Sequence, residues 1–424
     1  MGRLFYSLLF YTSIPLVVMR LLYRAWRAPE YAKRWQERFG FFPLPGRPAL
    51  RSPIWVHAVS VGETIAAAPL VKALQSAYPT RDLVVTTMTP TGSERVRALF
   101  GDTVFHVYAP YDLPDAMRRF LRKIQPSLLV IMETELWPNM ISSARQAGVP
   151  VALVNARLSA RSAAGYGKVS WLASPMLKQL SLVAAQFQAD ADRFMSLGLD
   201  RDKVKVTGNI KFDIQIPDQA YQLGEEIRHA IGDRRVWIAA STHQGEDELV
   251  LQAHRALLSK CPRLLLILVP RHPERFNQVQ RLVDEFGFHL SRRSEHRVPA
   301  PEAEVFLGDS MGEMLAFYSA SQIAFVGGSL VERGGHNPLE PAALGLPVIM
   351  GPHVFNFESI CHALSEAGGL KFVGSAELLA NRVAELIEDP DYHQSMGKQG
   401  LAVVNANRGA LERVLSELDK LLEK

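Results

Sequence analysis

The chain has 424 residues, 48% of them hydrophobic, so it is long enough to bury two cores of ordinary domain size. Its two cysteines, Cys261 and Cys361, lie far apart without histidines at metal-ligand spacing. This pattern excludes a disulfide framework and a structural zinc site, and it fits a reducing compartment. The net charge is +4, yet the first 40 residues alone carry seven cations against two acids. A nucleic-acid-binding domain would spread its charge over a folded face, so we expect no nucleic acid partner.

The N-terminal segment combines an apolar run with a basic flank. Leu4 to Met19 carries no charge, and six cations follow it, namely Arg20, Arg24, Arg27, Lys33, Arg34 and Arg38. A cleaved signal peptide has its cations before the apolar run, so residues 1–27 are predicted to be a retained membrane anchor and its basic flank. The run reaches roughly 24 Å as a helix, which leaves both a tilted span and an interfacial helix open. A helix packed on the first domain is the third interpretation.

Beyond Pro53, short apolar runs alternate with segments of helical period, which is typical of doubly wound α/β domains. The runs of the first domain are Ile54–Val61, Leu83–Thr87, Val104–Tyr108, Leu128–Met132 and Val151–Val154, with weaker ones at Leu182–Ala185 and Val204–Thr207. Those of the second are Val236–Ala240, Leu264–Val269, Val305–Leu307, Ile323–Val326 and Pro347–Met350. A polar stretch from Phe212 to Gln222 is predicted to be a linker, and Leu401–Leu422 to be one amphipathic helix. The predicted segments are therefore 1–27, 28–215, 216–400 and 401–424.

Ligands of such sheets bind beyond the carboxyl ends of the strands, so a cleft between two of these domains should gather the loops that follow the apolar runs. Glu63 follows the first run and opens a helix. The positive helix end should keep its carboxylate ionised near neutral pH, as a general base requires. Ser60 and Glu63 also have the spacing of a capping box, and this structural interpretation stays open.

Two further loops of the first domain carry charged side chains. Glu133 and Glu135 follow the run Leu128–Met132, and burying acids so close to a strand end is costly unless something uses them. A helix-start residue and a salt-bridge partner are the alternative roles. In the next such loop, Arg157 and Arg161 with Ser159 between them suit a phosphate or a carboxylate. A solvated loop with unrelated arginines is the alternative.

The second domain offers anion-binding side chains after its first two runs, together with main-chain groups for a base in the loop with Gly312 and Glu313. The anion-binding candidates are Ser241, Thr242, His243, Arg271 and His272. Either histidine alone would more often be an ordinary loop residue. A glycine-rich loop, Gly327 to Gly335, then leads to Asn337 and Pro338, which suit a helix N-terminus that binds phosphate. Glu340 is placed to accept ribose hydroxyls, or else to form a capping pair with Asn337.

Six motifs in this order resemble those of bacterial 3-deoxy-D-manno-octulosonic acid (Kdo) transferases, and the resemblance runs from the anchor to the last helix. The motifs are Val59-Ser60-Val61-Gly62-Glu63, Met132-Glu133-Thr134-Glu135-Leu136-Trp137-Pro138-Asn139, Asn155-Ala156-Arg157-Leu158-Ser159, Pro270-Arg271-His272-Pro273-Glu274-Arg275, Gly335-His336-Asn337-Pro338-Leu339-Glu340-Pro341 and Asn356-Phe357-Glu358. Six motifs in order are far more specific than any one of them.

The resemblance implies a GT-B glycosyltransferase: two Rossmann-like domains with a cleft between them, an N-terminal anchor helix, and a last helix that crosses back to the first domain. It implies transfer of Kdo, with inversion, from CMP-Kdo to a lipid A precursor at the cytoplasmic face of the inner membrane, without metal or cofactor. The implied catalytic residues are Glu63, Glu133 and Glu135. The implied donor-binding residues are Ser241, Thr242, His243, Arg271, His272, Gly312, Glu313, Gly335, His336, Asn337, Glu340, Asn356 and Glu358, and the acceptor-binding residues are Ser60, Arg157, Ser159 and Arg161.

Three other functions share parts of this pattern. A GT-B enzyme that uses another nucleotide sugar would keep the fold and change the loop that reads the base. A nucleotide-sugar epimerase has a similar two-domain architecture and would need no anchor. A membrane-bound binding module without catalysis would not depend on Glu63.

Overall fold

The structure is a computed structural model that describes residues 2–44 and 50–423. The chain divides into two compact units, Met1–Asp213 with Arg408–Lys424, and Ile214–Asn407. The described residues do not include Met1, at the start of the first predicted segment, or Lys424, at the end of the last one. They also exclude residues 45–49 of the predicted first domain.

The first unit contains a seven-stranded sheet in which the recorded strand pairings are parallel. Its strands are β1 (Ile54–His57), β2 (Leu83–Thr87), β3 (Phe105–Tyr108), β4 (Leu128–Met132), β5 (Val151–Ala156), β6 (Leu182–Ala185) and β7 (Val204–Val206). The strand order is β3-β2-β1-β4-β5-β6-β7. Every residue of β1, β2, β4 and β5 is buried, which explains why these strands appear in the sequence as continuous apolar runs.

Helices cover both faces of this sheet. They are α1 (Gly2–Arg27), α2 (Val61–Ala77), α3 (Pro90–Phe100), α4 (Pro114–Ile124), α5 (Pro138–Gln146), α6 (Ala160–Lys168), α7 (Ser170–Leu177) and α8 (Gln188–Ser196). Short 3-10 turns lie at Pro29–Ala32, Trp35–Phe39, Arg201–Lys203 and Ile210–Phe212. Successive residues of β1 point to opposite faces, so Trp55 packs with Phe120 of α4, and Val56 packs with Leu70 of α2.

The second unit has the same architecture, again with the recorded strand pairings parallel. Its strands are β8 (Val236–Thr242), β9 (Leu265–Pro270), β10 (Leu290–Arg292), β11 (Val305–Leu307), β12 (Ile323–Val326), β13 (Val348–Met350) and β14 (Leu370–Phe372), in the order β10-β11-β9-β8-β12-β13-β14. Its helices are α9 (Asp218–Ile231), α10 (Asp247–Leu258), α11 (Phe276–Glu285), α12 (Met314–Ala320), α13 (Leu339–Ala343), α14 (Glu358–Glu366), α15 (Ala376–Glu388) and α16 (Pro390–Asn407), with a 3-10 turn at Pro273–Arg275.

The last helix, α17 (Ala410–Leu422), belongs to the first unit. Its buried Ala410, Val414 and Leu418 join the apolar cluster on the α2 face of the first sheet. The carboxylate of Asp213 accepts hydrogen bonds from the backbone N–H groups of Gly409 and Leu411, each at 2.6 Å. Gly409 has φ +81°, a conformation that favours glycine and separates α17 from α16. The prediction of one helix over Leu401–Leu422 was therefore wrong.

Other differences from the sequence-based prediction lie at element ends. The first strand ends at His57 rather than Val61, because Ser60 caps α2 and Val61 already begins that helix. Much of the predicted linker is helical, since α9 begins at Asp218. The strands β10 and β14 were not predicted, because each has only three residues and includes polar ones, so neither forms an apolar run.

Candidate functional site

Both sheets have a topological switch point, where the strand order reverses. In the first unit it lies between β1 and β4, and in the second between β8 and β12. Loops that leave the two central strands diverge at such a point and open a crevice, where ligands of doubly wound sheets bind. Glu63 follows β1 and Glu133 follows β4, while His243 follows β8 and His336 lies in the loop after β12.

Glu63 is held at the N-terminus of α2 by a reciprocal capping box. The Ser60 hydroxyl donates to Glu63 Oε1 at 2.7 Å and accepts from the Glu63 backbone N–H at 3.3 Å. The backbone N–H of Val59 donates to Glu63 Oε2 at 2.8 Å. The capping interpretation of this spacing is thus geometrically correct, and the same bonds fix the carboxylate beside the switch point.

Burial dominates the electrostatics of Glu63. It raises the pKa of this carboxyl to about 7, with smaller increases from the negative charges of Glu135 and Glu133. The hydrogen bonds from Ser60 and Val59 act in the opposite direction. The helix end was expected to keep Glu63 ionised near neutral pH, but desolvation outweighs the helix terminus and leaves the carboxyl only partly ionised there. A carboxyl with a pKa near the working pH is well suited to general base catalysis.

Glu133 and Glu135 lie in the loop after β4, close enough to Glu63 to affect its ionisation. Glu133 has φ 56°, a strained conformation for a residue with a side chain, and its Oε1 is 3.1 Å from Lys211 Nζ. Glu135 accepts a hydrogen bond from Trp137 Nε1 at 3.0 Å, and burial raises the pKa of its carboxyl. The structure thus brings the three predicted acids together with one cation, Lys211.

The predicted arginine pair lies on the outside of the first unit. Arg157 and Arg161 are exposed, and neither guanidinium forms a hydrogen bond or ion pair with residues 2–44 or 50–423. Ser159 caps α6, since its hydroxyl accepts from the Ser162 backbone N–H at 3.1 Å. Both cations are consequently available for a ligand.

Three histidines cluster at the switch point of the second unit. The rings of His243 and His336 are nearly parallel, with an interplanar angle of 4°, and their Nε2 atoms lie 2.8 Å apart, at hydrogen-bond distance. His272 packs edge-on against His243, with ring centroids 5.3 Å apart. Burial lowers the pKa of His243 to about 4 and that of His336 to about 3, and nearby positive charges such as Arg271 add to the effect. Both imidazoles are therefore neutral at pH 7, and one donates its Nε2–H to the other.

A buried carboxylate, Glu246, holds the glycine loop and the histidine loop together. Its oxygens accept hydrogen bonds from the backbone N–H groups of Gly328, Ser329 and Leu330 at 2.7, 3.0 and 2.9 Å. The N–H of His243 donates to the same carboxylate at 2.9 Å. The amides of the glycine loop that would suit an external phosphate are thus occupied by a side chain of the protein.

The end of β8 carries two of the predicted donor-binding residues, with different surroundings. Ser241 has φ 58° and is partly exposed. Thr242 is fully buried, and its hydroxyl donates to Asp247 Oδ1 at 2.6 Å, while Arg275 also binds Asp247. The Thr242 hydroxyl is therefore hydrogen-bonded to Asp247 in the protein interior and is not exposed to a ligand.

Arg271, in the loop after β9, is a free cation. Its guanidinium forms no hydrogen bond or ion pair with the part of the chain that the structure describes. Its positive charge lowers the pKa of His336 and acts in the same direction on the carboxyl of Glu340. Arg271 therefore lies close enough to His336 and Glu340, at the switch point of the second unit, to affect their ionisation.

The loop after β11 holds Glu313 in an internal ion pair. Both Glu313 oxygens are bound by Arg293, at 2.6 and 2.9 Å, and this contact lowers the pKa of the carboxyl. Gly312 has φ +84°, so the main chain turns sharply there. The Glu313 carboxylate is therefore held by Arg293 rather than left open for a ligand.

The segment after the glycine loop forms a short helix, α13, of five residues. The Asn337 side chain accepts from the Leu339 N–H and donates to Glu340 Oε1, both at 3.1 Å, so the pairing of Asn337 with Glu340 that the spacing allows is formed. The N-cap residue of α13 is Pro338 rather than Asn337, because the helix begins at Leu339. Burial raises the pKa of Glu340. Asn356 Nδ2 donates to the carbonyl oxygens of Arg333, at 3.0 Å, and of Gly335.

The two remaining predicted donor-binding residues of this region, Gly335 and Glu358, differ in exposure. Gly335 has φ +71°, is buried, and donates its N–H to the Gly328 carbonyl at 2.7 Å. Glu358 is the exposed first residue of α14. Gly335 therefore shapes the loop, whereas the Glu358 carboxylate is exposed and has no partner in residues 2–44 or 50–423.

Sequence reasoning missed Lys211 and Glu246 as site residues. Lys211 lies in the loop after β7, within a stretch that joins the predicted linker. Glu246 stands three residues after His243, in a loop that the strand-end rule had already selected. The same rule, applied to every polar residue of each strand-end loop, would have found both.

Among residues 2–44 and 50–423, no group of three or more His, Cys, Asp or Glu side chains is arranged to hold a metal ion. The cluster of His243, His272 and His336 is therefore not arranged to hold a metal ion either. The rings of His243 and His336 are instead hydrogen-bonded to each other.

Comparison with known proteins supports one family over the whole chain. Residues 33–214 match the family described as 3-deoxy-D-manno-octulosonic-acid transferase (kdotransferase), and residues 233–403 match glycosyl transferases group 1. The chain is 47% identical to a 3-deoxy-D-manno-octulosonic acid transferase of Haemophilus influenzae and 37% identical to one of Bordetella pertussis, each over the full length of both proteins.

Solved structures support the fold. A UDP-GlcNAc 2-epimerase from Neisseria meningitidis superposes with a TM-score of 0.57 at 18% identity, covering 86% of this chain and all of that one. A glycosyltransferase from Rickettsia africae gives a TM-score of 0.53 at 14% identity, covering 88% of this chain and 99% of that one. The expected GT-B architecture of two Rossmann-like domains is confirmed. The chain belongs to the family of 3-deoxy-D-manno-octulosonic acid transferases and is a glycosyltransferase.

Proposed function

We propose that this protein transfers Kdo from CMP-Kdo to a hydroxyl group of a lipid A precursor at the cytoplasmic face of the inner membrane, with inversion at the anomeric carbon. The observation that carries the proposal is the half-buried carboxyl of Glu63, which accepts two hydrogen bonds and whose pKa is raised to about 7. It lies at the switch point of a chain that is similar over its full length to Kdo transferases.

In the proposed reaction, the acceptor hydroxyl attacks the anomeric carbon while Glu63 takes the hydroxyl proton. The new carbon–oxygen bond forms as the bond between the anomeric carbon and the phosphate oxygen breaks, and CMP leaves with that electron pair. Glu133 and Glu135 surround the base, and Lys211, 3.1 Å from Glu133, limits the local negative charge. A single displacement at one face of the sugar accounts for inversion.

The donor would bind at the switch point of the second unit. The leaving phosphate carries less charge than a pyrophosphate, so cationic and neutral donors suffice without a metal. Arg271 is a cation there whose guanidinium is unpaired among the described residues, and the neutral pair His243 and His336 supplies hydrogen-bonding groups at low charge. Glu340 would accept the ribose hydroxyls, with Asn337 holding its carboxylate.

Gly312 and Glu313 in the loop after β11 are proposed to place main-chain groups at the cytosine, while Asn356 and Glu358 close the pocket beside Gly335. Ser60, Arg157, Ser159 and Arg161 are proposed to bind the acceptor. The two exposed arginines suit its phosphates or the Kdo carboxylate.

Helix α1 supports a membrane location. It is 26 residues long, has a mean hydropathy of 1.6 over its most apolar window, and is long and apolar enough to cross a membrane. Its first half nevertheless binds the first unit: Ser7 Oγ donates to Asn139 Oδ1 at 3.0 Å, and the Tyr11 hydroxyl donates to Asp115 at 2.6 Å. A span would have to break these bonds, so we propose that α1 lies in the membrane interface with its exposed apolar side chains in the lipid.

The direct test is mass spectrometry of a tetraacylated glucosamine disaccharide incubated with the full-length protein and CMP-Kdo. The expected product has gained one or more Kdo units, and the same incubation with UDP-sugars gives none. Product formation from UDP-sugars would reassign the donor. Turnover of the nucleotide sugar without any lipid acceptor would favour an epimerase.

A further inference from the structure

Arg38 is an almost completely buried cation that has no anionic partner among the described residues. Only 2% of this residue is exposed, and its Nε and Nη2 atoms have no hydrogen-bond partner among the described residues. Its Nη1 donates to the Met88 carbonyl at 3.1 Å, and its guanidinium lies 4.4 Å from the centre of the Tyr108 ring. An unpaired buried charge is strongly destabilising, so two free guanidinium nitrogens indicate a missing anion.

A second arginine and its carboxylate partner lie beside Arg38. Arg34 stands over the same Tyr108 ring at 4.8 Å, but it already has a carboxylate partner, Glu37, at 2.7 Å. Glu37 in turn accepts the Tyr108 backbone N–H at 2.8 Å, so both of its oxygens are used. Among the described residues, Glu37 therefore forms no hydrogen bond with Arg38.

Two further arginines approach the same place from the C-terminal half of α1. Arg20 and Arg24 are exposed, and their charges, with that of Arg38, act on the hydroxyl of Tyr111. The N–H of Tyr111 donates to the Arg38 carbonyl at 2.7 Å, which places this tyrosine directly beside the arginine. Arg20 and Arg24 form no ion pair with residues 2–44 or 50–423, and as long exposed side chains they can turn to admit a ligand.

The position of Arg38 links it to the proposed base. Its Nη1 binds the Met88 carbonyl, the N–H of Met88 binds the Val59 carbonyl at 3.1 Å, and the N–H of Val59 binds Glu63. Arg38 therefore lies at the same edge of the first sheet as Glu63. The loops after β1 and β2 connect the two residues through these three hydrogen bonds. On its other side the chain passes into α1, whose exposed apolar face includes Leu16 and Leu22.

We propose that Arg38, with Arg20, Arg24 and Tyr111, forms a binding site for a phosphomonoester carried by the lipid acceptor. The guanidinium offers two donors in a planar fork, the geometry that matches phosphate. A phosphate bound there is held between the apolar face of α1 and Glu63, so it positions an acceptor hydroxyl at the base. The inference rests on the proposed function, and it assigns one phosphate of the acceptor to a cluster distinct from Arg157 and Arg161, which remain for the other phosphate or the Kdo carboxylate.

The test is steady-state kinetics of the full-length wild-type protein and the R38Q variant at saturating CMP-Kdo. Two acceptors are compared: the bisphosphorylated acylated disaccharide, and the same disaccharide with its phosphates removed. R38Q should raise the KM for the phosphorylated acceptor about ten- to a hundredfold, the usual loss for hydrogen bonds to a charged group. On the dephosphorylated acceptor, R38Q and the wild type should have equal KM values. The control R122Q removes an exposed cation of α4 and should match the wild type on both acceptors.

Equal losses for R38Q on both acceptors would overturn the proposal, because a structural role does not distinguish them. A loss of binding to anionic phospholipid vesicles with an unchanged KM in detergent would assign the site to bulk lipid headgroups instead. If R38Q does not fold, as judged by its melting curve, the R20Q/R24Q double variant on the exposed helix face takes its place in the same comparison.

Inorganic phosphate is an independent probe that needs no transfer reaction. It should raise the Tm of the wild type and of R122Q but not that of R38Q or R20Q/R24Q, and an equal rise in all four would overturn the site. If the wild type transfers no Kdo to either acceptor, the proposed function fails, and this phosphate-dependent Tm difference still decides whether the Arg38 site exists.

Discussion

Ser60 and Glu63 bind each other in both directions, hydroxyl to carboxylate at 2.7 Å and backbone N–H to hydroxyl at 3.3 Å. One pair of residues therefore starts helix α2 and also fixes the orientation of the proposed base. A capping box and a catalytic site are usually considered competing explanations of the same spacing. Here the cap is the means by which the carboxylate is positioned.

Replacing Glu63 with glutamine should abolish most transfer while leaving donor binding intact. Glutamine keeps the shape of the side chain but cannot take a proton, so we expect kcat to fall about 100- to 10,000-fold with an unchanged affinity for CMP-Kdo. Product formation and donor binding are measured on the same preparation. The control E94Q changes an exposed acid of α3 and should retain wild-type kcat. A kcat of E63Q within a few-fold of the wild type would remove Glu63 from its proposed role.

The pH dependence of kcat/KM should report the Glu63 carboxyl. Only its ionised form is a base, so activity should rise with pH through about 7. E135Q removes a neighbouring negative charge and should move this midpoint to lower pH. S60A removes a hydrogen bond to the ionised form and should move it to higher pH. Opposite displacements in the two variants are the decisive result, and a common midpoint in all three proteins would contradict it.

The raised pKa of Glu63 also predicts an effect on stability. The folded protein binds this proton more tightly than the unfolded chain, so the contribution of Glu63 becomes less favourable as the pH rises from about 4.5 to 7. Above pH 7 the E63Q variant should therefore melt at a higher temperature than the wild type, and the difference should shrink below pH 5. A difference in Tm that is constant from pH 5 to pH 8 would contradict the assignment.

Strand-end reasoning located most of the candidate site, because the central strands are buried apolar runs with polar loops directly after them. The rule could not see contacts that depend on three-dimensional packing. Glu246 binds amides 82 to 84 residues further along the chain, and the desolvation that raises the pKa of Glu63 comes from neighbours distant in sequence. The break between α16 and α17 escaped detection because helical periodicity continues across Gly409, whose φ of +81° is a local feature.

Glu246 is predicted to be essential for the stability of the second unit. Glutamine at this position has one acceptor oxygen, and its NH2 group would face backbone N–H donors that now bind the carboxylate. We expect E246Q to lower the free energy of unfolding by about 2–4 kcal/mol. Because His243 and the glycine loop share this carboxylate, CMP affinity should fall as well. The matched control E285Q changes an exposed acid at the end of α11 and should leave both quantities unchanged. An E246Q protein with wild-type Tm and CMP affinity would show that the loop is held by other contacts.

Membrane binding should depend on the exposed apolar face of α1. Leu16 and Leu22 are 65% and 64% exposed, so the double variant L16E/L22E should lose little stability while placing two charges where the helix meets lipid. We expect it to move from the membrane fraction to the soluble fraction, with a Tm close to that of the wild type in detergent. The control L378E alters a 53% exposed leucine of α15 in the second unit and should remain with the membranes. A large drop in the Tm of L16E/L22E would instead indicate that this face of α1 packs against protein. Full retention of the variant on membranes would assign the attachment to the basic flank, and binding by that flank should weaken as the salt concentration rises.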